Sequence, residues 1–310
     1  MQTRYSHHLR YTVLLLLTVS LLSGPLTAHA SKTDLFNFYT QLKPVLEKNA
    51  YGIPIYVHSK DENDTMTGVI YGVLNHPFEV TSRALGAAAN WCEVAPQHLN
   101  IKACTYRAEN DFCQLRFYSG RKHYEKADDV YQLDYRFEAI EQSPDFIHIR
   151  LSADEGPAGT GQYRLNVKAI PLDKTSSFIY FSYAYEYNFI TSLGMGTYLA
   201  TLGSGKVGFT VTDKDKKGEP IYIGGVRGII ERNAVRYYLA IQSYLDTLSI
   251  EAAHQFQARI NHWFDLTEKH HLQLFEMEKN DYLEYKQQER QDQLRLQQQL
   301  KPSQAEKHCR

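Results

Sequence analysis

Between residues 98 and 187 apolar and polar side chains alternate through six segments, at about 98 to 107, 111 to 119, 130 to 141, 145 to 153, 160 to 171 and 176 to 187. Alternation sends successive side chains to opposite faces, so each segment predicts a strand with one buried face. The intervening turns are short and polar, too short for a helical crossover, and the strands must therefore form an antiparallel meander. Such a sheet has an apolar face that something else in the chain has to cover.

The flanking segments supply covers. Leu35, Phe36, Phe38, Tyr39, Leu42, Val45 and Leu46 recur at helical spacing and predict a helix over 33–48, interrupted near Pro44, serving as a lid or brace. Ile53 to His58 and Met66 to Leu74 read as a hairpin around DENDT. Asn75-His76-Pro77 opens a helix, with Asn75 or His76 near the cap and Pro77 in its first turn, and 88–95 forms a second short helix that carries Trp91 and ends at Pro96. Beyond the meander come a helix over 188–201, a hairpin from Lys206 to Ile223 turning at DKKGE, and a helix over 229–248. In the last of these Ala234, Tyr238, Ile241, Leu245 and Leu248 make one apolar stripe that must be buried. Ser249 is placed to cap a further helix, whose Phe256, Ile260, Trp263 and Phe264 should dock on the domain. From 286 the run KQQERQDQLRLQQQLK has few apolar residues and predicts a solvated helix or frayed tail, with contact to an envelope protein as its alternative role.

Residues 1–30 have the three parts of a cleaved signal peptide: a basic start with Arg4 and Arg10, an apolar core from Val13 to Leu22, and small residues at Ala28 and Ala30 before Ser31. The core is about half the ~20 residues that span a bilayer. No Cys follows it to take a lipid. The mature chain is expected to be periplasmic or secreted, touching membranes only transiently. Without Arg4 and Arg10, 32 basic residues face 35 acidic ones, so no basic excess attracts nucleic acid.

Export makes disulfides plausible chemistry for Cys92, Cys104, Cys113 and Cys309. Strict alternation puts Cys104 on the face opposite Ile101 and Ala103, whereas Cys113 shares its face with Leu115 and Phe117. A bridge across that hairpin needs a shared face, so Cys92 with Cys104 is preferred.

One strand, two helices, a six-stranded meander and a long packing helix is the order of the helix-grip fold. From Gly68 to Pro96, GVIYGVLNHPFEVTSRALGAAANWCEVAP runs from a strand through a Pro-containing helix start to a Trp and a Pro. In this the chain resembles the START-like superfamily, also called the Bet v 1-like or polyketide cyclase-like group. The resemblance implies an α+β helix-grip fold, a curved antiparallel sheet around a long helix, here with extra N- and C-terminal helices. The implied division is a signal peptide at 1–30, an N-terminal helix and strand at 31–65, the helix-grip domain at 66–248 and a helical extension at 249–310. It also implies a cavity between sheet and helix for an apolar or amphiphilic small molecule.

Candidate ligand-binding residues follow from the pattern. Phe181, Tyr183, Tyr185 and Tyr187 alternate onto one face, with Tyr163, Leu165 and Val167 in a similar row on the preceding strand. Trp91 is placed to close the mouth. Arg232 and Arg236 are candidates for an anionic head at the entrance, although capping and an Arg227 to Glu231 pair are the preferred explanation of that helix start. The chain's 23 tyrosines suit a binding wall, being apolar bodies with polar tips.

No reactive constellation stands out. GSGKVG at Gly203 to Gly208 lacks the spacing of a phosphate loop, and Ser204 is not set in a nucleophile elbow. His148 lies opposite the apolar face of its strand and should meet solvent. His262, Glu268, His270, His271 and Glu276 lack the spacing that aims two histidines at one metal ion. No catalytic residue, metal or cofactor is expected. The leading expectation is an exported binder of a lipid-like or other apolar small molecule. An envelope interaction protein without ligand, and a cyclase- or hydrolase-like enzyme using the same cavity, remain the alternatives.

Overall fold

The computed structural model describes residues 31–110, 112–188, 205–300 and 309. The signal segment and nearly all of the helix expected over 188–201 lie outside them.

Eight strands form one sheet: β1 Ile55–Glu62, β2 Thr65–Leu74, β3 Ile101–Glu109, β4 Phe112–Ser119, β5 Tyr131–Ser143, β6 Phe146–Glu155, β7 Gly161–Pro171 and β8 Ser177–Glu186. Their order is β1-β2-β8-β7-β6-β5-β4-β3, antiparallel throughout, so β1 and β3 are the terminal strands and the sheet does not close. All six meander strands are present, within a few residues of their expected limits. A separate small hairpin, β9 Val211–Lys214 and β10 Pro220–Tyr222, matches the DKKGE turn.

Helices cover both faces. On the inner face α2 Phe78–Gly86 and α3 Ala88–Val94 lead into the meander, and the 22-residue α4 Gly225–Asp246 lies over β2. Gly72 on β2 permits that approach: a Cβ there would stand 2.7 Å from the Tyr238 hydroxyl. Pro77 is itself the N-cap of α2, so the helix starts later than the expected cap at Asn75 or His76. Of the two roles expected for the N-terminal helix, α1 Lys32–Glu47 takes that of a brace, on the opposite face, where Leu35 and Leu46 pack with Phe146, Ile170 and Phe178. It runs unbroken through Pro44, because the only carbonyl that the proline leaves unpaired belongs to the exposed Thr40. His148 also lies on this outer face beside Lys168 and is only 5% exposed, so it does not meet solvent as expected.

Two disulfides, Cys92 with Cys104 and Cys113 with Cys309, join Cα atoms 4.8 and 5.6 Å apart. The first pairing is the expected one, but the facing argument fails. A bulge between Ile101 and Ala103 turns β3 over, so Cys104 pairs with Phe117 and faces inward with Cys113. Register separates the two, since Cys113 lies opposite Ala108, four residues further along.

The C-terminal run is a helix as far as Gln299, solvated on one face only and buried on the other. After α5 Ala252–Glu268, which starts at Glu251 rather than with a Ser249 cap, and α6 His271–Leu274, helix α7 Lys279–Gln299 packs along the β3 edge. Tyr282, Lys286, Glu289, Gln293 and Leu296 are buried. Gln293 accepts from the Cys104 N–H and Gln297 from the Tyr106 N–H, each at 2.9 Å. Four residues of helix rise about 6 Å and two residues of strand about 6.8 Å, so glutamines at i and i+4 meet alternate edge amides. Glu289 holds Lys102 at 2.8 Å and Lys286 at 2.6 Å, all three buried. An edge that would otherwise invite another strand is thereby satisfied.

Candidate functional site

A cavity of about 310 Å³ opens between α4 and the inner face of the sheet. Tyr135 on β5, Tyr163 on β7, Tyr183 and Tyr185 on β8 and Tyr237 on α4 supply its aromatic wall. The rings form a continuous set: Tyr163 stacks on Tyr185 at 5.5 Å between centroids, and Tyr183 lies 5.6 Å from Tyr237. Alternation along β8 puts residues 183 and 185 on the same face, and Tyr183 is paired with Leu165 on the neighbouring strand. Tyr163 is placed by the turn before β7. Its hydroxyl meets Thr160 Oγ1 at 2.7 Å, and its ring occupies the space a Cβ on Gly156 would need.

The five phenols are not equivalent. Tyr163 is engaged with Thr160, whereas the hydroxyls of Tyr135, Tyr183, Tyr185 and Tyr237 make no hydrogen bond among the described residues. Burial raises the pKa of each of these phenols, so they stay protonated and can donate or accept.

His98 completes the wall. It follows the 3₁₀ turn Ala95–Gln97, and its ring stacks on Tyr237 with centroids 4.7 Å apart. Asn100 donates its backbone N–H to Nδ1 at 3.2 Å, which places the ring proton on Nε2. Nε2 is buried without a hydrogen-bond partner. The Asn233 side chain adjoins the ring and favours its protonated form. Burial, then the charges of Arg236, Lys286 and Lys122, hold this imidazole well below its usual range, so it is neutral.

The sequence-derived candidates divide. Tyr163, Tyr183 and Tyr185 line the cavity. Leu165 and Phe181 share the inner face but are wholly enclosed in the core. Trp91 does not close the mouth: it is 1% exposed and donates from Nε1 to the Leu85 carbonyl at 3.0 Å. Tyr187 bonds Asp61 at 2.7 Å outside the cavity, which pushes its phenol up to about 12. Arg236 turns away to the Leu274 carbonyl and Glu276, and Arg232 is buried on α4 without lining the cavity. Arg227 and Glu231 meet on Ser59 instead of each other.

The histidines and acids near the C-terminus do not converge. His262 pairs with Asp246, His271 with Glu268, and Glu276 with Lys122, Lys206 and Arg236. Among the described residues no group of three or more such side chains is arranged to hold a metal ion.

His98, Tyr135, Asn233 and Tyr237 escaped the sequence reading. Tyr237 adjoins the recognised stripe residue Tyr238, and that adjacency was the one available signal.

No family model and no curated protein sequence matches the chain. Solved structures with similar folds include the human StAR-related lipid transfer protein 5, at 8% identity and TM-score 0.34, covering 69% of this chain and 96% of that one. The Zhui aromatase/cyclase from a Streptomyces species aligns at 12% identity and TM-score 0.32, covering 67% and 94%. Truncated norcoclaurine synthase from Thalictrum flavum aligns at 13% identity and TM-score 0.31, covering 44% and 87%. With its antiparallel sheet, paired short helices and a long helix over the inner face, the chain has an α+β helix-grip architecture.

Proposed function

We propose that the protein binds one small amphiphilic molecule built on a ring system, in the cavity between α4 and the sheet. The observation that carries this reading is the set of four phenol hydroxyls, those of Tyr135, Tyr183, Tyr185 and Tyr237, which make no hydrogen bond among the described residues and stand around a single aromatic-walled space. A filled core does not leave its polar tips in this state. At about 310 Å³ the cavity sits at the lower end of the ~300–1,000 Å³ usual for small-molecule pockets. That size and polar lining favour a compact ring compound over a two-chain lipid, and narrow the expectation of a purely apolar ligand. The open cavity also favours binding over a purely structural role. The two disulfides support a site of action outside the cytoplasm, as the signal segment implies. Among the described residues no helix is long and apolar enough to cross a membrane.

Native mass spectrometry of the protein purified from its own cells tests this. The expected result is a small-molecule adduct on the wild type that is missing from Asn233→Trp, whose indole fills the cavity. A wild type that carries no adduct and shows no saturable uptake of any ring compound would refute the reading.

A further inference from the structure

The turn that joins β1 to β2 reads Asp61-Glu62-Asn63-Asp64-Thr65, and none of these residues lines the cavity. Asn63 is the only asparagine in the chain followed two positions later by Ser or Thr without an intervening proline, the acceptor pattern for an N-linked glycan. An acid two positions before the asparagine, here Asp61, is the additional requirement of the transferases of bacterial envelopes.

The fold presents this pattern at a hairpin tip. Glu62 pairs with Thr65 as the last rung of the ladder, so Asn63 and Asp64 form a two-residue loop. Both have positive φ, 54° and 58°, as a type I′ turn requires. Residues 61–64 are all exposed, and the Asn63 carboxamide makes no hydrogen bond among the described residues. Only the backbone carbonyl of Asn63 is engaged, accepting from the Thr65 hydroxyl at 3.4 Å. By contrast the amides of Asn49 and Asn100 are committed to the carbonyls of Ile53 and Gly120. The turn accounts for Asn63 and Asp64 by backbone conformation alone, but it sets no requirement for a hydroxyl at 65 or an acid at 61.

We infer that Asn63 is a glycosylation site, modified on the way out of the cytoplasm by transfer of an oligosaccharide from a polyprenyl diphosphate carrier. Its Nδ2 bonds to the anomeric carbon of the first sugar, and the bond from that carbon to the diphosphate oxygen breaks. The electron pair leaves with the diphosphate, and one Nδ2 proton passes to a base of the transferase. The Thr65 hydroxyl is the handle by which the transferase reads the site. Export, which the signal segment implies and the two disulfides support, brings the chain to such a donor. A bulky, hydrated glycan at the tip projects into solvent and leaves the cavity lining untouched.

The test is mass spectrometry of the protein purified from its own cells, denatured and then mapped by peptides that span residues 61–65. The Asn63 peptide should be heavier than its sequence requires by a series of sugar residues. The added mass should be lost in Asn63→Gln and in Thr65→Ala, and kept in Thr65→Ser. Thr65→Ala leaves both left-handed turn residues in place, so loss of the glycan there is not an effect of a disturbed turn. An Asn63 peptide of unmodified mass in the wild type, or added sugar that survives Asn63→Gln or Thr65→Ala, would overturn the inference.

Discussion

Gln297 holds the backbone of Tyr106 much as a neighbouring strand would, accepting from its N–H at 2.9 Å and donating to its carbonyl at 3.0 Å. Gln293 makes the equivalent contact to the Cys104 N–H and also donates to the Cys92 carbonyl at 3.0 Å. The glutamine-rich helix therefore takes the place of a ninth strand, and its Lys286 fixes the segment that carries His98. The sheet edge and the cavity wall share one support.

Gln297→Ala should cost about 1–2 kcal/mol in urea unfolding, because the Tyr106 groups it satisfies are only partly buried. Glu289→Gln should cost more, about 3–5 kcal/mol, since it leaves two buried ammonium groups without their carboxylate. Truncation after Glu284 exposes the β3 edge and should give a destabilised, self-associating protein by size-exclusion chromatography. A truncated protein as stable and monodisperse as the parent would show that α7 is dispensable.

Glu276 predicts an acid limb in the stability profile. Burial alone would raise its pKa, but Arg236, then Lys122 and Lys206, bring it down to about 2 from an ordinary 4.5. A depressed carboxylate stabilises the fold fully above its unfolded pKa and loses that contribution as pH falls toward the folded value. About 3 kcal/mol should therefore disappear between pH 4.5 and pH 2. In Glu276→Gln this part of the slope should vanish, with stability near neutral pH lowered by about 3–5 kcal/mol as the three cations lose their partner. A chemical-denaturation series across that range checks both, and a variant with the parent's acid slope would contradict them.

Reduction should be costly at both bridges. On the chain-entropy account, closure of a 12-residue separation contributes about 3 kcal/mol and of a 196-residue separation about 5 kcal/mol. Peptide mapping without reductant should recover Cys92 with Cys104 and Cys113 with Cys309. A Cys104 to Cys113 peptide, or a free thiol at any of the four, would contradict the structure.

The meander was legible because alternation is a local signal, and the α4 stripe for the same reason. The bulge at Ile101 to Ala103 was not: it is an event of register between strands, and the facing of Cys104 was misread with it. The role of α7 escaped because its partners on β3 lie 189 and 191 residues away in sequence, and isolated glutamines give no sign of which amides they will meet. Tyr163, Tyr183 and Tyr185 could be assigned to the inner face. Only the packed structure separates them from Phe181 and Leu165, which are equally inward but fully enclosed. His98 takes its place in the wall from a backbone amide on Nδ1 and the Tyr237 ring against its face, neither of which has a sequence pattern.

The central claim is that the space beneath α4 is a binding site, and its most direct test is fluorescence titration of aminoanthracene, a neutral ring probe, into wild type and Asn233→Trp. The wild type should enhance and blue-shift the emission, saturating at one probe per chain, and Asn233→Trp should abolish that response while keeping its fold by circular dichroism. An absence of saturable binding to the wild type, or an undiminished response in Asn233→Trp, would contradict the account.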